Sequence, residues 1–178
     1  MQGDTIKPEK AVTLHGLFLE RVRRTPNTVA YRYFDLKTEH WLDLNWTQMH
    51  EQVARWQAAL LREGLQPGDR VAIMLRNCPQ WVLFDQAALS LGLAVVPLYV
   101  VDRPDNVAYI CNDSGVKVLL FETEEQWKGL HTVKEQMTSI QRFISLDRTT
   151  NGSDPRLKCA DDWLPAEAKL EPDRVQDP

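Results

Sequence analysis

The sequence predicts an α/β fold, a mostly parallel sheet with helices on both faces and an N-terminal antiparallel strand pair. Short apolar runs, Arg70–Leu75, Ala94–Leu98 and Val116–Phe121, alternate with segments of helical periodicity, the rhythm of repeated strand–helix units. Ala94–Leu98 is continuously apolar, as expected of a strand covered on both faces. Upstream, TVAYRYF and HWLDLNW are β-rich and joined by DLKTE. They read as a hairpin at the edge of the main sheet, although the loop lacks a strong turn dipeptide.

The elements follow in order. Residues 1–12 read as a flexible lead-in. Thr13 is placed to cap a helix whose apolar residues Leu14, Leu17, Phe18 and Val22 recur at helical spacing, and Thr25-Pro26-Asn27 ends it. After the hairpin, Thr47 stands where an N-cap is wanted. Met49, Val53, Trp56 and Leu60 then trace one helix face up to Gly64. Pro67-Gly68 turns the chain into Arg70–Leu75. Asn77 and Pro79 restart a helix that shows Trp81, Phe84, Ala88 and Leu91 to the core. Asp102 and Pro104 open another, stopped by Ser114-Gly115. Trp127, Leu130, Val133 and Met137 mark a further amphipathic helix, and Arg142–Leu146 a fourth strand of the series. The scaffold domain is therefore expected over 13–146. Residues 147–178, with the turn-rich TTNGSDP and the charged AEAKLEPDRVQDP, read as loop and linker.

Composition narrows the function. The 178 residues suit one domain with a real core; 43% are hydrophobic and 26% charged, as in ordinary soluble proteins. A formal charge of −4 argues against a nucleic-acid partner. The only basic cluster, Arg21, Arg23 and Arg24, would spread around the solvated side of its helix. The longest apolar run, ALSLGLAVVPLYVV, is broken by Gly92 and Pro97, so no transmembrane span is expected. The N-terminus lacks a secretory signal. Cys78, Cys111 and Cys159 form no CxxC pair, and Cys111 reads as a small core residue. A cytoplasmic protein fits these features.

Candidate chemistry is sparse. No Walker-type loop and no dinucleotide fingerprint occurs, and the Leu91-Gly92-Leu93 step sits at a helix-to-strand turn, on the wrong end for binding. His15, His40, His50 and His131 are scattered, with no i, i+4 pair to hold a metal. Asp69, in PGDR, precedes a strand and reads as a turn residue bonded to backbone amides. Asn112-Asp113-Ser114-Gly115 reads as a helix stop with Gly115 at positive φ. Asn77 and Cys78 do lie at a strand's carboxyl end, where a ligand could approach, yet a helix start accounts for Asn77 equally well. Trp56, Trp81 and Trp127 fall on apolar helix faces and read as core. Trp41 and Trp46 stay unassigned. No catalytic, cofactor-binding or metal-binding residue is therefore assigned.

One resemblance adds to this reading. NWTQMHEQVARWQAALLREGLQPGDRVAIMLRNCPQWV, then LGLAVVPLY and VAYICNDSGVKVLLF, is similar to the N-terminal part of adenylate-forming acyl-CoA synthetases over Thr13 to Leu146. PLY and the following helix look most like the long-chain fatty acid branch, with Val100 and Val101 where that family often has Pro and Thr. The resemblance implies a ligase that uses ATP and Mg²⁺ to turn a carboxylic acid into an acyl-adenylate, then passes the acyl group to coenzyme A. Metal and cationic side chains would stabilise charge developing on the phosphates. The family's phosphate loop, adenine and ribose motifs and C-terminal catalytic lysine do not occur in these residues. The chain is therefore expected to be an N-terminal piece of a long-chain fatty acid CoA ligase, inactive alone and binding no cofactor itself. It is expected to be cytoplasmic, or peripheral to the membrane, and to self-associate through surface left exposed by truncation. The rivals are another adenylate-former (a short-chain synthetase, a luciferase-like enzyme or a peptide-synthetase adenylation domain) and a non-catalytic stand-alone domain that binds a partner protein or acyl chain.

Overall fold

Local capping chemistry sets the helix starts. In α2 (Leu14–Arg24) the Thr13 hydroxyl accepts from the Gly16 amide at 2.8 Å, as its position predicts. In α3 (Trp46–Arg62) the cap is Asn45, not Thr47. Asn45 Oδ1 accepts from the Gln48 amide at 2.8 Å while Gln48 Oε1 accepts from the Asn45 amide at 2.9 Å, a reciprocal capping box. The Thr47 hydroxyl instead donates to the Pro26 carbonyl. A second box, Thr123 with Gln126, starts α6 (Glu124–Val133). Proline opens α4 (Pro79–Ser90) and α5 (Pro104–Ser114), where a missing N–H costs nothing. At the end of α5, Gly115 is left-handed at φ 65°, and Arg70 donates to the Ser114 and Gly115 carbonyls beside it.

The computed structural model describes residues 4–36, 38–149 and 154–172. Strands β3 (Arg70–Met74), β4 (Ala94–Pro97), β5 (Val116–Phe121), β6 (Arg142–Ser145) and β7 (Leu157–Cys159) form one parallel sheet in the order β4-β3-β5-β6-β7. The antiparallel pair β1 (Val29–Asp35) and β2 (His40–Asn45) is a separate two-stranded sheet rather than the edge of the main one. Its Tyr31 and Leu44 pack onto the core beside α3, so side chains rather than ladder bonds dock it.

Alternate residues of β3 and β5 face opposite helix layers. Val71, Ile73, Val118 and Leu120 meet α2, α3 and α4. Ala72, Met74, Leu119 and Phe121 meet α5 and α6, where Trp127 stacks on Phe121 (5.7 Å) and meets Phe143 edge-on (5.3 Å).

Two terminal segments differ from the expectation. The lead-in contains α1 (Pro8–Ala11), and Asp4 takes charged bonds from Arg21 and Arg24, both at 2.7 Å. Those arginines are therefore paired within the chain, and Arg23 bonds Glu20. The segment expected as linker supplies β7 and α7 (Ala160–Trp163), with Trp163 buried against Trp56. Three-residue β7 is too short to announce itself in sequence; pairing with β6 makes it a strand. Residues 150–153 of TTNGSDP and 173–178 of the linker lie outside the described residues.

Candidate functional site

An open parallel sheet forms a ligand crevice where neighbouring strands send their connections to opposite faces. Here α4 leaves β3 on one face and α6 leaves β5 on the other, so that point lies between the carboxyl ends of β3 and β5. A cleft of about 480 Å³ opens there, within the range of small-molecule sites. Its apolar lining comes from Met74, Val100, Val101, Val107 and Leu130, and its polar lining from Arg76, Asp102, Glu122, Thr123, Glu125 and Gln126.

The strand ends are tied across the cleft. Arg76 Nε donates to Glu122 Oε1 at 2.6 Å, and this bond holds the guanidinium's pKa above its ordinary value. Gln126 Oε1 accepts from the Glu122 and Thr123 amides at 2.8 and 3.0 Å, while its Nε2 donates to the Met74 carbonyl at 3.3 Å. One side chain thus closes the α6 cap and joins β5 to β3. The lining carries one guanidinium, already paired, against the carboxylates of Asp102, Glu122 and Glu125. A phosphate or free carboxylate would meet net repulsion there. The cleft suits an uncharged, partly apolar group.

The residues singled out from sequence lie elsewhere. Asn77 and Cys78 line a smaller hollow of about 250 Å³ with Tyr31, Tyr33 and Trp81, between the β1–β2 ribbon and the start of α4. Burial raises the Cys78 thiol's pKa, so it is not a thiolate poised for attack. Burial pushes the Cys111 thiol up to about 12, as befits a core residue. Asp69 Oδ2 accepts from the Gln66 amide at 2.9 Å, the expected turn role at the amino end of β3. Asn112 donates to the Gln136 carbonyl at 2.8 Å, fixing the helix stop.

Among the histidines, His15 is buried beside Phe18, His131 meets Trp127 edge-on, His40 contacts the Thr38 carbonyl and half-buried His50 is pushed below its ordinary pKa by desolvation. None lines the cleft. Sequence reasoning did not find Arg76 and Glu122. Each follows directly on a strand run, but their opposition depends on strand order.

The chain matches the family described as AMP-binding enzyme over residues 18–176. It belongs to that family. The chain is 31% identical over 133 residues to a probable CoA ligase of Humulus lupulus, covering 75% of the chain and 20% of that protein. It is 30% identical over 131 residues to a long-chain-fatty-acid–CoA ligase of Mycobacterium bovis, covering 74% of the chain and 22% of that protein. Among solved structures, coronafacic acid ligase from Pectobacterium brasiliense superposes with a TM-score of 0.79 at 14% identity, covering 90% of the chain and 31% of that protein. Acetoacetyl-CoA synthetase from Streptomyces lividans gives 0.77 at 18%, covering 90% and 26%. These structural likenesses establish the fold as that of adenylate-forming CoA ligases. The chain spans about a fifth of the length of the curated CoA ligases it matches.

Adenylate formation requires ATP with Mg²⁺, hence cations or backbone amides around a triphosphate. The described residues do not fit that group. The cleft lining is net acidic, and no cluster of three His, Cys, Asp or Glu suited to a metal occurs among them. No helix among them is long and apolar enough to cross a membrane.

Proposed function

We propose that this chain is the N-terminal scaffold of a long-chain fatty acid CoA ligase. In that reaction a carboxylate oxygen attacks the α-phosphorus of ATP and expels pyrophosphate. The coenzyme A thiolate then attacks the acyl carbonyl and expels AMP, a far better leaving group than oxide. The family match over 18–176 carries the reading. The long-chain assignment is supported by relatives such as the Mycobacterium bovis enzyme and a fatty acyl-CoA synthetase of Dictyostelium discoideum, 37% identical over 90 residues. The chain supplies the sheet and the β3–β5 crevice, which receives an uncharged part of a substrate. The cation-rich phosphate site lies outside the described residues.

The isolated 178 residues neither turn over ATP nor make acyl-CoA; an ATP–pyrophosphate exchange signal from them overturns that statement. Chain-length preference is tested on the whole protein by pyrophosphate release across C4 to C18 acids. A preference for amino acids instead supports a peptide-synthetase adenylation domain, a reading favoured by the 33% identity over 110 residues to a phosphinothricin tripeptide synthetase of Streptomyces viridochromogenes. Calorimetric binding of palmitate by the chain alone supports a binding module. We place the protein in the cytoplasm, peripheral to membranes when it takes up a lipid acid. The isolated chain self-associates through exposed Tyr99, Val101 and Tyr109, which sedimentation velocity at rising concentration checks.

A further inference from the structure

Gln57 is fully buried on the α3 face that also carries Val53, Trp56 and Leu60. A buried amide in apolar surroundings is costly unless its donors and acceptor are all used. Here they are. Oε1 accepts from the Glu171 amide at 2.7 Å, and Nε2 donates to the Glu171 carbonyl at 3.2 Å and to Ser90 Oγ at 2.9 Å. Ser90 Oγ in turn donates to the Ala87 carbonyl at 2.6 Å, so the network is closed. Glu171 lies 114 residues downstream of Gln57.

Between α7 and Glu171 the chain runs back along α3. Trp163 Nε1 donates to Glu63 at 2.8 Å and Arg55 Nε donates to the Pro165 carbonyl at 2.7 Å, while Leu164 and Leu170 rest on the core. Arg62 also reaches the Trp163 carbonyl. The arginines take carbonyls only, and apolar contacts tolerate sliding. Among these contacts, only Gln57 takes both the N–H and the C=O of a single strap residue. That pairing specifies register as a strand ladder does.

We infer that Gln57 is a positioning residue, a two-point backbone clamp that fixes the register of the strap 164–172 across α3. With the clamp open, the strap lifts as a local unit while the sheet beneath stays folded. The inference is independent of which acid the enzyme activates.

Trypsin cleavage after Lys169, within the strap, tests it on the 178-residue chain, with hydrogen exchange of β3 and β5 as the readout for the sheet. Gln57→Leu removes the clamp from the core side. Glu171→Pro removes the strap's N–H without altering the core. Each should speed that cleavage by about tenfold or more, the loss of one or two buried hydrogen bonds, with exchange in the sheet unchanged. Glu171→Ala should change nothing, because the clamp reads backbone. The proposal falls if either disruptive variant leaves the strap protected, if Glu171→Ala behaves like Glu171→Pro, or if strap and sheet lose protection together in both disruptive variants.

Discussion

The two faces of the sheet are sealed by different means. The α5/α6 face is closed mainly by residues 98 to 143, packed over Ala72 and Met74, with Trp127 stacked on Phe121 and edge-on to Phe143. The α3/α4 face draws on the whole chain. The β1–β2 ribbon and α2 cover one side, and Ala160, Trp163 and Leu170 return to cover another. A face closed by local elements behaves as part of the global unit. A face closed by a returning strap can open by parts, because the strap carries few apolar contacts and is fixed by long-range hydrogen bonds.

Substitutions can break or sharpen this contrast. The largest effect is expected from Trp127→Ala, about 4 kcal/mol, lowering the denaturation midpoint for the whole sheet at once. Trp163→Ala should cost about 3 kcal/mol and raise hydrogen exchange at the bonded strap amides of Leu164 and Glu171 before the sheet. If both variants open the same amides, the contrast between the faces is wrong.

Asp154 probes the join between β7 and the α5/α6 face. Bonds from Arg156 and Lys134 hold its carboxyl well below the usual range, with its side chain 4% exposed. A depressed carboxylate stabilises the fold above its ordinary pKa of 3.8, and that contribution is lost as pH falls through the lowered value. Asp154→Asn should cost about 2 kcal/mol at neutral pH, with the thermal midpoints of variant and parent converging as the pH drops below about 4.

Gly115→Ala should cost about 1 kcal/mol in urea melts. Its φ is 65°, and a methyl group would sit 2.4 Å from Arg70 Nη2 unless that arginine moves. The smallest effect is expected at the crevice. Arg76 is half exposed, so Arg76→Ala should move the midpoint by less than about 1 kcal/mol, as surface ion pairs do. A larger shift would make the Arg76–Glu122 tie structural.

Much of the fold could be read from periodicity and punctuation. The runs at β3, β4 and β5, the cap at Thr13 and the proline start at Pro79 are local signals that tertiary packing left unchanged. Thr47 misled because Asn45 and Gln48 offered the better reciprocal box two residues earlier. β7 and the strap escaped notice because their order comes from partners far along the chain, Ser145 for Cys159 and Gln57 for Glu171. The crevice escaped for the same reason. Arg76 and Glu122 each look like an ordinary charged residue after a strand.

The sequence by itself determined strands β1 to β6 and helices α2 to α6, their α/β alternation and the resemblance to adenylate-forming synthetases, because propensity, apolar period and capping act over a few residues. Only the tertiary structure decided the strand order, the separation of the hairpin from the main sheet, the cleft between β3 and β5, and the return of residues 160–172 over α3. Those features rest on contacts between residues tens of positions apart, and no local pattern encodes which distant partner a strand edge or a buried amide will meet.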